Sequence, residues 1–143
     1  MAVAGGQTVR LNFALAGFLT AQRTVQVPWQ DYVTANDVVL MRLDPVSNPV
    51  DLTQSAPQVI RGSPQSDVDT DGGTRTATAV IFPGTQATMT LPDGGTQTIT
   101  SLTVHATEHT NTTGMTNTDV ASAMPGELPP TSAFTYAIDL SAE

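Results

Sequence analysis

The fold is decided by the stretch Thr74–Thr110, which reads TRTATAVIFPGTQATMTLPDGGTQTITSLTVHATEHT. Its apolar and polar residues alternate, and this period of two is typical of a β-strand with one buried face. Pro83-Gly84 and Pro92-Asp93-Gly94-Gly95 interrupt the alternation, and glycine supplies the positive φ angles that tight turns need. The stretch therefore predicts three strands joined by two turns, with the strands at 75–82, 86–91 and 96–110.

Two further patterns refine this prediction. Ile99 and Leu102 fall on opposite parities of the third strand, which predicts a bulge near Thr100. Outside the stretch, alternating or continuous apolar runs predict strands at 7–15, 22–27, 38–43, 58–61 and 133–141. Pro28 ends the second of these because proline cannot donate to a strand ladder. Asp44-Pro45 closes the run at 38–43, and residues 45–67 form a long connection.

These patterns predict an all-β fold of about eight short strands without a convincing helix. This count of short strands without helices predicts an antiparallel β-sandwich or an open barrel. A length of 143 residues suits one core. We therefore expect residues 1–143 to form a single β-sandwich-like domain, as a fragment of a larger surface protein.

Composition excludes two classes of partner. The net charge is −8, lysine is absent and the only cations are five arginines. Nucleic-acid binding requires a basic surface that neutralises phosphates, so no nucleic-acid partner is expected. No apolar run reaches the roughly 18 residues of a membrane-spanning helix, so no membrane insertion is expected. Abundant threonine, with serine, glutamine and asparagine as further polar residues, is typical of extracellular or cell-surface β-proteins. Cysteine is absent, which excludes disulfides but leaves the compartment open.

His105-Ala106-Thr107-Glu108-His109 matches the H-x-x-E-H pattern of inverted zinc peptidases. On a helix, His105 and His109 would lie about 6 Å apart and share one Zn²⁺, with Glu108 as the general base. On a strand, the two histidines would lie about 13 Å apart and Glu108 would face the opposite side. The composition favours a strand, so the zinc site is an alternative that requires a bend.

Asp67-Val68-Asp69-Thr70-Asp71-Gly72 has the spacing of the first half of a calcium loop. Carboxylates at alternate positions converge on one ion, and glycine permits the sharp turn that follows. Position 12 of such a loop would be Thr78 rather than glutamate, so an EF-hand is excluded. Two interpretations stay open, an acidic surface turn and a calcium site formed by Asp67, Asp69 and Asp71.

Trp29 and Tyr32 occupy the loop that follows Pro28. Large aromatic side chains commonly contribute to the core, so both residues could cap one end of it. The alternative is a stacking surface that binds a glycan or a peptide.

Three segments resemble an uncharacterised β-rich region of large bacterial surface proteins with RHS/YD repeats, found near carboxypeptidase-regulatory-like modules. They are Gly17–Val39 (GFLTAQRTVQVPWQDYVTANDVV), Phe82–Thr90 (FPGTQATMT) and Ala123–Tyr136 (AMPGELPPTSAFTY). The resemblance implies no catalytic residues. It also implies arginine and tyrosine at positions 105 and 109, so the histidine pair departs from that pattern.

Three functional hypotheses follow. The first is a non-catalytic extracellular module with a structural or adhesive role, stabilised by calcium if the acidic turn binds it and requiring no other cofactor. The second is a small zinc-dependent hydrolase that uses His105, His109 and Glu108. The third is a carbohydrate-binding or peptide-binding module that uses Trp29 and Tyr32. We expect the chain not to be an enzyme.

Overall fold

The computed structural model describes residues 3–66, 74–109, 122–127 and 136–143. These residues confirm the predicted all-β fold, because their strands pair into several small antiparallel sheets. The strands in chain order are β1 (Gln7–Phe13), β2 (Ala21–Val27), β3 (Asn48–Asp51), β4 (Gln58–Arg61), β5 (Gln65–Ser66), β6 (Thr74–Arg75), β7 (Thr78–Ile81), β8 (Ala87–Thr90), β9 (Thr96–Ile99), β10 (Ser101–Glu108) and β11 (Ile138–Ala142).

The chain divides into two compact units. The first comprises Met1–Leu43 and His109–Ala137, and the second comprises Asp44–Glu108 and Ile138–Glu143. Each unit is therefore built from two separate segments of the chain. The expectation of a single domain over residues 1–143 stays a prediction. Within the described part of the chain, no helix is long and apolar enough to cross a membrane.

The first unit contains the β1–β2 hairpin. Its strands pair in antiparallel register from Gln7↔Val27 to Phe13↔Ala21. The predicted alternation is confirmed, because Val9, Leu11, Val25 and Val27 are half-buried while the residues between them are exposed. Gly17, in the connection between the strands, has a φ angle of 78° that favours glycine.

The predicted strand at 38–43 is wrong. Of its residues only Arg42 makes a β-bridge, to Phe18. The amide of Leu43 donates to Gly17 O at 3.0 Å, and that of Val39 donates to Ser122 O at 3.0 Å. Met41 O also accepts a hydrogen bond from Leu19 N at 2.8 Å. Residues 41–43 therefore bond to residues 17–19, whereas Val39 bonds to Ser122, so a single bridge forms and no ladder extends along the run.

The second unit contains a three-stranded sheet with β10 in the centre, in the order β11-β10-β3. Strands β4 and β7 form a second sheet, and the β5–β6 and β8–β9 pairs form two more. Val104 and Ala106 of β10 pack with Val50, Ile60 and Ala77 in the buried core cluster. The predicted turn at Pro92–Gly95 joins β8 to β9, where Gly94 has a φ angle of 83°.

The long third strand of the decisive stretch is divided at Thr100. Ile99 of β9 pairs with Ala87, whereas Ser101 of β10 pairs with Asp51. Ile99 and Leu102 fall on opposite parities because they belong to strands with different partners. The predicted bulge near Thr100 is wrong, since the chain has a bend at that residue. Strand β3 lies in the predicted connection 45–67. Its Pro49 is tolerated because β3 is at the edge of its sheet.

Two sequence predictions lie outside the described residues. They are the acidic turn with Asp67, Asp69 and Asp71, and the first part of the predicted strand 133–141, up to residue 135.

Candidate functional site

Strand β10 positions the residues of the H-x-x-E-H pattern. It runs from Ser101 to Glu108, so the predicted strand conformation is confirmed for His105, Thr107 and Glu108. Its residues from Val104 onward are buried on both faces. Successive side chains of a strand point to opposite faces, so His105 and Thr107 share one face while Ala106 and Glu108 share the other.

The side chain of His105 bonds to a backbone carbonyl. Its Nδ1 lies 2.8 Å from Asp44 O, and the residue is 9% exposed. A carbonyl oxygen only accepts hydrogen bonds, so Nδ1 carries the hydrogen. This leaves Nε2 as the ring nitrogen that a metal would use.

Asp44 is the centre of a buried polar cluster with Ser63, His105 and Thr107, which we call the Asp44 cluster. Its carboxylate accepts hydrogen bonds from Val46 N at 2.8 Å, Ser63 N at 2.9 Å and Ser63 Oγ at 3.0 Å. Its amide donates to Thr107 Oγ1 at 2.9 Å. Both main-chain groups of Asp44 therefore bond to side chains of β10.

The Asp44 cluster contains serine, histidine and aspartate, but its bonds differ from those of a hydrolase triad. In a triad the imidazole bonds to the serine hydroxyl and to the carboxylate. Here the Ser63 hydroxyl donates to the Asp44 carboxylate, and His105 donates to the Asp44 carbonyl. The cluster thus fixes the chain around Asp44 against β10, which is a structural use of these residues.

Glu108 forms an ion pair on the opposite face of β10. Its Oε1 lies 2.7 Å from Nε of Arg75, and its side chain is 1% exposed. A carboxylate held in this pair on the face away from His105 is not placed to activate a water bound near that imidazole. The predicted opposition of Glu108 and His105 is confirmed by the strand conformation.

His109 follows the end of β10 and is 2% exposed. Its Nδ1 lies 3.2 Å from Ala123 O, and its amide donates to Ala137 O at 2.9 Å. The two imidazoles therefore bond to different carbonyls. Over residues 3–66, 74–109, 122–127 and 136–143, no three histidine, aspartate or glutamate side chains form a group suited to a metal ion.

Arg23 is a buried cation that anchors a distant segment of the first unit. Its Nη2 donates to Ser122 O at 2.6 Å and its Nη1 to Met124 O at 3.1 Å. The amide of Gln22 donates to Pro125 O at 2.9 Å. Arg23 has the same parity as Val25 and Val27 in β2. The sequence analysis did not identify Arg23 as buried. The signal that indicates its burial is the position of a cation on the apolar face of β2.

Trp29 and Tyr32 are exposed, so the interpretation that they cap the core is wrong. Trp29 is 71% exposed and Tyr32 is 98% exposed. Between them, Gln30 has a φ angle of 56°, which residues other than glycine seldom adopt. The Asp31 carboxylate accepts a hydrogen bond from the amide of Tyr32 at 2.7 Å. The loop backbone thus presents both aromatic rings to solvent.

A groove of about 480 Å³ lies beside these aromatic residues. We call it the β1–β2 groove, because Val9, Leu11, Val25 and Val27 of that hairpin line it. Pro28, Gln30, Asp31, Tyr32 and Val33 of the following loop also line it. The sequence predicted the aromatic residues as a binding surface, but the groove itself depends on how the loop returns to the hairpin.

The fold and the groove define an all-β module with an exposed aromatic surface. Residues 1–40 match the family model described as the Teneurin TTR-like domain. The matched segment contains the β1–β2 hairpin and the loop with Trp29 and Tyr32. The match indicates a β-rich domain of a large surface protein. No curated protein and no solved structure matches the chain.

Proposed function

We propose that this chain is a non-catalytic extracellular module of a large bacterial surface protein of the RHS/YD-repeat kind, with a structural and adhesive role. The observation that supports the proposal is the match of residues 1–40 to the Teneurin TTR-like domain. The segment Gly17–Val39, which resembles the RHS-associated region, lies within those residues. The partner of the module is the remainder of the surface protein, together with a glycan or peptide ligand.

The structural role is supported by the use of the buried polar side chains. His105, Asp44 and Arg23 each bond to backbone groups of segments distant in sequence. Such bonds fix the course of the chain. The residues of the H-x-x-E-H pattern take part in this arrangement through Asp44, Arg75 and Ala123.

The adhesive role is supported by the exposure of Trp29 and Tyr32. Exposed aromatic residues beside a groove are enriched at binding surfaces, where they contribute much of the binding energy. A test compares the wild-type chain with the Trp29→Ala/Tyr32→Ala double variant on glycan and peptide arrays. Phe82→Ala is the matched control, since Phe82 is 66% exposed and outside the groove.

We expect the arrays to contain ligands that bind equally to the wild type and to Phe82→Ala. The double variant should not bind these ligands. If the double variant retains all binding of the wild type, the adhesive role of this surface is refuted. That outcome would leave the structural role standing, because the buried polar bonds are independent of the two exposed rings.

A calcium site at Asp67, Asp69 and Asp71 is part of the proposal. Calcium that binds only the folded chain would raise the midpoint of thermal unfolding. We expect the midpoint of the wild type to rise with added Ca²⁺ and that of an Asp69→Asn variant to rise less. Equal midpoints with Ca²⁺ and with EDTA would exclude a calcium role in stability.

Zinc-dependent hydrolysis is the competing hypothesis, and metal analysis separates it from the proposal. A zinc site requires Nε2 of both imidazoles and a third ligand to converge on one ion. We expect purified wild type incubated with Zn²⁺ and the His105→Ala variant to retain equal, substoichiometric zinc after desalting. One zinc per wild-type chain that is lost in the variant would favour the hydrolase and contradict a non-catalytic module.

A further inference from the structure

The floor of the β1–β2 groove is aliphatic. Val9 and Val25 are direct cross-strand partners, and Leu11 and Val27 flank them on the same face. All of them are only half-buried, so this face of the hairpin retains apolar surface that water contacts. An apolar occupant would remove that surface from water, which is favourable in proportion to the area covered.

The rim of the groove is aromatic and acidic. Tyr32 and Asp31 both line it, and the amide of Tyr32 holds the Asp31 carboxylate in place at 2.7 Å. The indole of Trp29 lies against Gly6, next to Gly5, which also lines the groove. Asp31 is the only charged residue among the described lining residues. The electrostatic character of the rim therefore favours a cation.

A glycan fits this groove poorly. Sugar hydroxyls that face an aliphatic floor lose hydrogen bonds to water without gaining partners, which is costly. Among the described lining side chains, only Gln30, Asp31 and Tyr32 carry hydrogen-bonding groups. A peptide instead presents aliphatic side chains at alternate positions of an extended strand, and these match a valine-rich floor.

We propose that the β1–β2 groove binds an extended peptide segment of a partner protein in which alternating aliphatic residues are followed by arginine or lysine. The aliphatic side chains cover Val9, Leu11 and Val25. The cation lies beside the Asp31 carboxylate and over the Tyr32 ring, where charge and the aromatic quadrupole both attract it. This inference rests on the adhesive role proposed above and specifies the ligand of that surface.

Trp29 provides a direct measurement of binding. It is the single tryptophan of the chain, so intrinsic fluorescence reports on this surface without a label. The probes are short synthetic peptides without aromatic residues, in which alternating valine, leucine or isoleucine precedes arginine. Matched peptides carry citrulline or glutamate in place of arginine. A neutral maltohexaose is titrated in parallel.

We expect saturable changes in Trp29 emission with arginine peptides, and weaker binding of the citrulline and glutamate peptides. Asp31→Asn should weaken binding of arginine peptides about two- to five-fold and leave citrulline peptides unaffected, as for an exposed ion pair. Tyr32→Ala should weaken the binding of arginine peptides by a similar factor. The control is Asp93→Asn, since Asp93 is an exposed aspartate that accepts a hydrogen bond from Gly95 N at 2.9 Å.

Several results would overturn the inference. Equal affinity for arginine and glutamate peptides would exclude recognition of a cation by Asp31. Equal effects of Asp31→Asn and Asp93→Asn would show that any charge preference arises outside the groove. A saturable response to maltohexaose without a response to any peptide would refute the peptide ligand while leaving the adhesive role intact. No response to either class of probe, together with negative arrays, would refute both.

Discussion

Replacing Asp44 with alanine is expected to destabilise the protein more than any substitution of an exposed aspartate. The Asp44 carboxylate accepts three hydrogen bonds, from Val46 N, Ser63 N and Ser63 Oγ. Asp44 is 5% exposed, so water does not readily replace the carboxylate. Alanine leaves these donors without an acceptor, which is the costly direction of hydrogen-bond removal.

The expected magnitude follows from the three donors. The hydroxyl of Ser63 can rotate to another acceptor, whereas the amides of Val46 and Ser63 are fixed by the backbone. Both amides are only partly buried, so the lower end of the cost of an unsatisfied donor applies. At about 1 kcal/mol each, they give a loss of about 2 kcal/mol in the free energy of unfolding. For a small protein with a urea m-value of about 2 kcal/mol/M, the unfolding midpoint falls by about 1 M.

The assay is urea unfolding at neutral pH, followed by far-ultraviolet circular dichroism. Asp44→Asn retains one oxygen acceptor, so it should lose about half as much stability as Asp44→Ala. Asp93→Ala is the control, since Asp93 is exposed and makes a single bond, to Gly95 N. The reasoning is refuted if Asp44→Ala and Asp93→Ala lower the midpoint equally.

Two further predictions use other features of the second unit. In Gly62→Ala, the new Cβ would clash with the backbone carbonyl oxygen of Ala106 in β10, so we expect a loss of about 1–3 kcal/mol in urea unfolding. A Cβ added at Gly126 meets no atom of the described residues within 4 Å, so Gly126→Ala should change stability by less than about 0.5 kcal/mol. Similar losses of stability in both variants would contradict a clash at Gly62. Hydrogen bonds from the hydroxyl of Thr53, the side-chain amide of Gln54 and the backbone amide of Thr53 lower the pKa of Asp51. Its stabilising contribution is therefore complete above the ordinary aspartate pKa of about 3.9 and is lost as the pH falls through the lowered value. The difference in urea midpoint between wild type and Asp51→Asn should narrow from about pH 5 to about pH 2, and a constant difference would contradict this assignment.

Local patterns were sufficient to predict the strands of the β1–β2 hairpin and the turn between β8 and β9. The alternation in Gln7–Phe13 and Ala21–Val27 and the glycines after Asp93 act over a few residues, so the sequence reveals them directly. Strand β3 was missed because Pro49 and Asn48 resemble connection residues. Its strand conformation depends on pairing with Leu102 and Thr103, about 50 residues later. The strand predicted at 38–43 does not form for the converse reason. An apolar segment forms a strand only where a neighbouring strand pairs with it along its length.

The sequence predicted the backbone conformation of the candidate site but not the hydrogen bonds and the ion pair of its side chains. The strand conformation of His105 and Glu108 followed from the composition around them. Their bonds to Asp44 and Arg75 depend on long-range packing, which has no periodic pattern in the sequence. The exposure of Trp29 and Tyr32 was not predicted, because large aromatic side chains usually contribute to the core and the sequence therefore favoured a core cap.

The bonds of Arg23 bear on how the first unit could be divided. The family match ends at residue 40, but the guanidinium and the amide of Gln22 bond to carbonyls in Ser122–Pro125. A fragment that ends at residue 40 would leave a buried cation without those acceptors. Evolutionary similarity and folding competence therefore have different boundaries in this chain. A polypeptide of residues 1–43 should gain structure only when a peptide of residues 109–137 is supplied in trans, as in a split protein restored by complementation.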